Sequence, residues 1–166
     1  LPASARAQSP PTCTTNLVNV SITPDDPVAV GGQVVNFSLQ AENPAPGCDA
    51  TGVTVTAFCP GPNGAPNLAD PIPIVPAPGQ NFPQGSSVDL GSFPCTMPVD
   101  PLLEVAIARV VIAGVVQFAT PVPFDIARNA PVVIQSCAVQ VDKQVSCDGG
   151  VNWVDQGLVI ANEGGT

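Results

Sequence analysis

Alternation of apolar and polar residues is the feature that most constrains how this chain folds. Three runs near the N-terminal end repeat with a period of two, and only an extended backbone sends successive side chains to opposite faces. The runs are residues 18–22, 35–41 and 53–57. Each therefore predicts a β-strand with one buried face and one solvated face.

The composition also disfavours helices. The 166 residues include 21 prolines and 15 glycines, which break or weaken helical turns. The aromatic residues are six Phe and one Trp, so Val, Ala, Ile and Leu must fill the core. Residues 60–85 are rich in proline, which lacks the N–H that a central strand needs. We expect a long surface excursion there, with a short edge strand at residues 72–75.

Further strands are predicted toward the C-terminus. They comprise residues 86–93 and a hairpin with arms at 102–112 and from 115 onward, turning near Ala113-Gly114. Residues 131–134 are expected to end the domain or to link it to the next segment. The total of about seven short strands is typical of an all-β, Ig-like antiparallel β-sandwich. A C-terminal β-hairpin or arm follows it.

The chain divides into three predicted parts. Residues 1–16 are interpreted as a signal-peptide remnant and lead-in, because Ala5-Arg6-Ala7 matches the small-x-small pattern of a cleavage site. A flexible tail is the alternative for that segment. Residues 17–135 form the predicted sandwich, and residues 136–166 are the C-terminal strand arm or the start of a second repeat.

Six cysteines in an acidic chain that lacks His indicate disulfides and an oxidising compartment, secreted, extracellular or at the cell surface. If successive strands alternate in direction, Cys13 and Cys48 lie at one pole of the sandwich. Cys59 and Cys95 then lie at the other pole. We therefore predict the pairs Cys13–Cys48 and Cys59–Cys95.

Cys137 and Cys147 remain after this assignment. In one straight strand they would be about 33 Å apart, far beyond bridging distance. They can pair only if the chain folds back between them, and the alternative is pairing with another segment or chain.

The charge excludes several classes of partner. The net charge is −9, with Lys143 as the sole lysine. Such a chain is repelled by phosphate backbones and anionic lipid surfaces, so nucleic acid is not expected as a partner. No apolar run of about 18 residues occurs, so membrane insertion is not expected.

Catalytic chemistry is poorly supplied. The chain has neither His nor Tyr, and no Ser-x-x-Lys motif accompanies its lysine. We therefore predict no enzyme activity, no cofactor and no metal site. Oxygen ligands for Ca²⁺ are conceivable in the turns, but the spacing of a calcium loop is missing, and solvated turn carboxylates are the better interpretation. The aspartates concerned are Asp25, Asp26, Asp49, Asp70 and Asp148.

The stretch "ITPDDPVAVGGQVVNFSLQAENPAPGCDATGVTVTAFCP" resembles the Ig-like repeat of bacterial surface and secreted proteins. The resemblance covers about residues 17–127. The positions that carry it are Val28, Val30, Gly31, Val34, Phe37, Asn43, Thr51, Val53, Val55 and Pro60. It implies a β-sandwich module that occurs in tandem arrays.

Near the C-terminus, "VDKQVSCDGGVNWVDQG" is similar to the first strands of a second such repeat. Two strands cannot bury their apolar face alone. They must pack on their own domain, belong to a longer chain, or complete a neighbouring subunit's sheet, which would build a head-to-tail filament. The residues predicted to contact a neighbouring subunit are Val139, Val141, Lys143, Val145 and Trp153.

Two of those residues have alternative interpretations. Lys143 shares the apolar face of its strand, so it is either an edge lysine or the donor of an isopeptide bond, for which Glu104 and Asn36 are nominal partners. Trp153 is expected to anchor the last strands by packing, and stacking on a glycan is the alternative.

The sequence thus predicts a secreted structural module of a bacterial cell-surface array or extracellular filament. The partners are other copies of the chain, which assemble through strand pairing of the C-terminal segment. The alternative is an adhesin or carbohydrate-binding β-sandwich module that uses the proline-rich loop at 60–85 to hold a glycan.

Overall fold

The computed structural model describes residues 13–74 and 80–135, together with the backbone of residues 144–145 and 154–155. The chain separates into two compact units, Leu1–Ser136 and Cys137–Thr166. No α-helix occurs among the described residues, so none of them forms a helix capable of crossing a membrane.

Nine strands occur among the residues of the first unit that the structure describes. They are β1 (Asn19–Pro24), β2 (Val28–Val30), β3 (Val34–Asn43), β4 (Ala50–Phe58), β5 (Ile72–Ile74), β6 (Gln80–Phe82), β7 (Ser86–Thr96), β8 (Val105–Val116) and β9 (Val122–Gln135).

These strands form two sheets that share one core. The smaller sheet has the order β1-β3-β7, and the larger has the order β2-β9-β8-β4-β5, with β6 also paired to β4. A cluster of buried apolar side chains draws on both sheets, and it includes Phe37 and Phe93, whose ring centroids are stacked 5.4 Å apart. The fold is therefore all-β and sandwich-like.

The period-two prediction is confirmed most clearly in β3. Its residues alternate without exception between exposed and buried from Val34 to Asn43. Val35, Phe37 and Leu39 are buried in the core, whereas the residues between them point outward. One hydrophobic set per strand fixes the register, because a slip by one residue would expose all of it.

The sandwich is not wholly antiparallel, which corrects the prediction. Residues 28–30 fall between the predicted strands at 18–22 and 35–41, but they form β2, which pairs in parallel with Val133–Gln135 of β9. The chain thus leaves the smaller sheet after β1 and joins the larger sheet within four residues. Prolines at positions 24 and 27 flank this switch, where neither interrupts a central ladder.

The predicted turn at Ala113-Gly114 is wrong. Gly114 lies inside β8 and pairs with Phe124 of β9, and the strands turn between Val116 and Val122. A Cβ at Gly114 would meet the Phe124 ring at 3.0 Å, so glycine makes room for an aromatic ring instead of a turn. Residues 131–134 belong to β9 and do not form a linker.

The loop after β4 is tied to the sandwich at several points. β5 and β6 both pair antiparallel with β4. The Ile107 N–H donates to the Gly64 carbonyl at 2.7 Å, and the Asn67 N–H donates to the Cys59 carbonyl at 2.8 Å. The described parts of residues 60–85 therefore run along the larger sheet, and β5 at its end is the short edge strand expected there.

Both predicted disulfides are confirmed. Cys13–Cys48 and Cys59–Cys95 each have a Cα–Cα separation of 5.4 Å. β5 and β6 both run antiparallel to β4, so together they return the chain once to the pole of Cys48. β7 then leads back to the pole of Cys59, where Cys95 lies, as the strand directions predict. Cys137 and Cys147 lie outside the described residues, so their pairing stays a prediction.

One buried polar side chain organises the loop beside the first disulfide. The Asn43 side chain is inaccessible to solvent, and its Nδ2 donates to the carbonyl oxygens of Cys48 at 2.7 Å and Phe82 at 2.9 Å. Its backbone carbonyl accepts from the Gly85 N–H at 2.6 Å. Asn43 thus joins the end of β3 to the segments that precede β4 and β7.

In the second unit the structure describes two short strands, β10 (Gln144–Val145) and β11 (Val154–Asp155). They pair antiparallel, with Gln144 opposite Asp155 and Val145 opposite Val154.

Candidate functional site

The outward faces of the two sheets differ in chemistry, and this difference defines the candidate site. The outward side of β1, β3 and β7 is the polar face. The outward side of β2, β9 and β8 is the apolar face.

The polar face consists mainly of hydroxyl, amide and carboxylate side chains, and Val34, which is 53% exposed, lies at one end of it. Its cross-strand rows follow from the register of β3 with its two neighbours. The residues are Ser21, Thr23, Asn36, Ser38, Gln40, Glu42, Ser87, Asp89 and Ser92. Such a face is well solvated and has no need of a partner.

A shallow depression of about 260 Å³ opens on the polar face between β1, β3 and β7. Its lining includes Ser21, Thr23, Gln40 and Asp89. The Gln40 Nε2 donates to the Ser87 Oγ at 3.0 Å beside it. No aromatic ring lines this depression in the described part of the chain, so it lacks the platform on which sugars usually stack.

The apolar face begins with a row of three valines. Val133 of β9 lies directly opposite Val28 of β2 on one side and Val105 of β8 on the other. Their exposed fractions are 48%, 39% and 39%. The row therefore presents a continuous apolar strip across three strands, at the end of the sheet where β9 finishes.

Further apolar residues extend this strip along β8 and β9. Ile107 is opposite Pro131, and Val111 is opposite Ala127 in the same register. Ile107 and Val111 are half-buried, and neither belongs to the core cluster, which takes the residues of opposite parity. β8 is thus apolar on both faces, although only its inner face is covered by the described residues.

Arg109 lies in the middle of the apolar face. It pairs across the sheet with Asn129 of β9 and Phe58 of β4. Its Nε is buried and has no hydrogen-bond acceptor among the described residues. A desolvated donor without an acceptor is costly, because it loses water and gains nothing. Arg109 is thus suited to an acceptor that comes from outside the sandwich.

The terminal strands limit how much edge either sheet offers. β7 ends the smaller sheet, and β5 ends the larger one on the side away from β2. Pro94 lies in β7 and Pro73 lies in β5. A proline has no N–H to donate to an added strand, so each shortens the available edge.

Asp25 and Asp26 serve the connection between the sheets. The Asp26 carboxylate accepts from the Val28 N–H and from the Gln33 Nε2, each at 3.1 Å. The Asp25 carboxylate accepts from the Asn36 side chain and backbone N–H, and these bonds hold the pKa of Asp25 below its ordinary value. The two aspartates thus act as turn residues, as the better of the two interpretations expected.

The other acidic residues do not converge. Among the described residues no three Asp, Glu, Cys or His side chains come together as a metal site would require. The Asp49 Oδ1 accepts from the Gln84 N–H at 2.8 Å, which ties two loops together. Asp70 is exposed in the loop before β5. Asp148 lies outside the described residues.

Most of the predicted inter-subunit contacts cannot be placed. Val139, Val141, Lys143 and Trp153 lie outside the described residues, and Val145 is described only as the β10 partner of Val154. The nominal isopeptide partners are placed, however. Asn36 and Glu104 are both exposed, and the Asn36 side chain already donates to Asp25. Neither lies in the buried environment that an isopeptide bond requires, and Lys143 lies outside the described residues, so that assignment stays a prediction.

Sequence reasoning missed the apolar face. A usable signal was present in residues 105–112, where both parities of the strand are hydrophobic except at Arg109. Strands that are apolar on both sides are usually covered on both sides. The pattern was interpreted only as evidence for strands.

The comparisons with known proteins identify no family for the chain. No family model matches it, and no curated protein matches it. Among solved structures it is similar to the crystal structure of Spo0M, a sporulation control protein from Bacillus subtilis. The sequence identity is 10% and the TM-score is 0.42. That match covers 71% of this chain and 49% of the Spo0M chain, and at this score it carries no argument about function.

Proposed function

We propose that this chain is an Ig-like structural module of a bacterial cell-surface array or extracellular filament. Copies of the chain assemble through the strands of the C-terminal segment, residues 136–166, which pair with a neighbouring subunit. The observation that carries the proposal is the second unit, in which β10 and β11 pair antiparallel. A two-stranded ladder is marginally stable at best by itself in water, so it needs a partner surface.

The order of the strands supports the Ig-like part of the proposal. In an Ig-type sandwich the first, second and fifth strands share one sheet, and the third, sixth and seventh share the other. Here β1, β3 and β7 occupy the first set of places, and β4, β8 and β9 occupy the second. The cores of such modules suit mechanical roles, because long antiparallel ladders hold the two ends of the domain together.

The disulfides support an extracellular location. One disulfide lies at each pole of the sandwich, Cys13–Cys48 at one and Cys59–Cys95 at the other. Such bonds persist in oxidising compartments. A cross-linked module with few lysines is suited to an exposed structure that must resist proteolysis and force.

Electron microscopy and sedimentation of the full chain test the proposal. We expect oligomers or filaments for the wild-type chain. A variant with Val141→Lys and Val145→Lys in the C-terminal segment should be monomeric but folded. A wild-type chain that stays monomeric at high concentration would contradict the proposal, as would assembly that is unaffected by these two substitutions.

A further inference from the structure

We propose that the apolar face of the larger sheet receives the C-terminal segment of a second copy, with Arg109 binding a carboxylate of that segment. The inference rests on the proposed function, which assigns the C-terminal segment to a neighbouring copy but does not say which surface buries its apolar side chains.

The two outward faces differ in chemistry. The polar face carries mainly hydroxyl, amide and carboxylate groups with a single exposed valine, Val34, at one end, whereas the apolar face carries the row Val28, Val133 and Val105. An exposed apolar strip that crosses three strands is a candidate interaction surface.

Arg109, in the middle of the apolar face, has an unsatisfied hydrogen-bond donor. Its Nε is buried by its neighbours and has no acceptor among the described residues. A guanidinium binds a carboxylate through two parallel hydrogen bonds, and arginine is enriched at the energetic centres of interfaces. The apolar face is therefore suited to a partner that carries both apolar side chains and a carboxylate.

The C-terminal segment has that combination of properties. Between residues 137 and 166 it carries four carboxylates and one lysine. In its sequence, Val139, Val141 and Val145 alternate with polar residues. A pair of strands with one apolar side packs on the face of a sheet as an added layer, and the acidic residues of the segment supply a carboxylate for Arg109.

A contact between the face of one copy and the C-terminal segment of the next is heterologous. Heterologous contacts leave a free face at one end and a free segment at the other, so they extend into filaments or rings. This geometry allows a decisive test with full-length chains.

The test mixes two defective variants. Val133→Lys places a charge on the apolar face, and Val141→Lys with Val145→Lys disables the segment. We expect each variant alone to sediment as a monomer. Mixed in equal amounts, they should form a one-to-one complex, because the intact segment of the first binds the intact face of the second.

Matched variants separate the face from general effects. Arg109→Gln should raise the dissociation constant of assembly by about tenfold or more relative to wild type, and assembly of this variant should depend less on salt concentration. Ser38→Lys adds the same charge to the central strand of the polar face and should change the dissociation constant by less than about twofold. Thermal unfolding checks that each variant is folded. If Val133→Lys does not fold, Arg109→Gln takes its place as the variant with a disabled apolar face.

The outcomes distinguish the two proposals. A monomeric wild-type chain would overturn both. Wild-type assembly that depends on the C-terminal segment but is unchanged by Val133→Lys and Arg109→Gln would overturn only the assignment of the surface. A mixture of the two defective variants that stays monomeric would also overturn it.

Discussion

Asp25 and Asn36 are joined by three hydrogen bonds. The Asp25 N–H donates to the Asn36 carbonyl oxygen at 2.9 Å. In return, the Asn36 N–H donates to the Asp25 Oδ1 at 2.9 Å, and the Asn36 Nδ2 donates to the Asp25 Oδ2 at 3.0 Å. The pair holds the end of β1 against β3 at the point where the chain crosses to the larger sheet.

The pair makes stability depend on acidity. The Asn36 side chain, and then its backbone N–H, lower the pKa of Asp25 from its ordinary value of 3.8. The folded carboxylate binds a proton more weakly than the unfolded one. The stabilisation is therefore present above about pH 3.8 and is lost as the pH falls through the lower folded value.

We expect Asp25→Asn to lower the denaturation midpoint at pH 6, and the difference from wild type to shrink as the pH falls below 3.8. Denaturant unfolding at a series of pH values measures this. Asp70→Asn is the matched control, because Asp70 is also exposed in a loop and accepts no side-chain hydrogen bond from the described residues. An equal loss at every pH would contradict the prediction.

Asn43→Leu tests the buried amide. Leucine has a similar volume but leaves the carbonyl oxygens of Cys48 and Phe82 without their donor. We expect the free energy of unfolding to fall by about 2–4 kcal/mol, because two buried acceptors become unsatisfied. Gln40 is exposed on the same strand, so Gln40→Leu should change the free energy of unfolding by less than about 0.5 kcal/mol. Equal effects of the two substitutions would show that the buried network contributes nothing.

Gly47→Ala tests the close packing of the same loop. A Cβ at Gly47 would collide with the Asn43 Oδ1 and would lie 2.7 Å from the Pro44 carbonyl oxygen. We expect a loss of about 1–3 kcal/mol in equilibrium unfolding, as for other overpacked sites. Gly61→Ala is also buried, but its nearest contact would be 3.4 Å, so it should be tolerated. A tolerated alanine at Gly47 would contradict this packing.

The two disulfides are expected to contribute equally. Their cysteines are separated by 35 and 36 residues, so each disulfide closes a loop of nearly the same length in the unfolded chain, and removing either one releases a similar restriction. Loop entropy predicts a loss of about 4 kcal/mol for each double Cys→Ala variant. Thermal and denaturant unfolding of the two variants measure the losses. A large difference would mean that native packing around one bond outweighs the entropy of the unfolded chain.

The parts of the fold that could be predicted depend on local patterns. The alternation in residues 35–41 predicts β3, because a buried face imposes period two wherever it occurs. The disulfide pairs followed from strand direction alone. The turn at Gly114 was mispredicted because glycine serves both turns and close contacts, and only the Phe124 ring on the neighbouring strand shows which applies.

The candidate site was harder to predict, since it depends on strands that are distant in sequence. Val28 and Val105 each resemble an ordinary strand or loop residue, and they form a surface only because β2 and β8 flank the same segment of β9. Likewise, Arg109 looks like an interruption of an apolar strand until its neighbours are known to desolvate it.

The sequence by itself determined that the chain forms strands, which side of most strands is buried, and which of the first four cysteines pair. These properties follow from side-chain period and chain direction, which are local. Only the tertiary structure decided that β1 and β2 lie in different sheets, that β2 runs parallel to β9, and that one outward face is polar and the other apolar. Those features arise from which strands become neighbours, and that choice is made by the packing of the whole core.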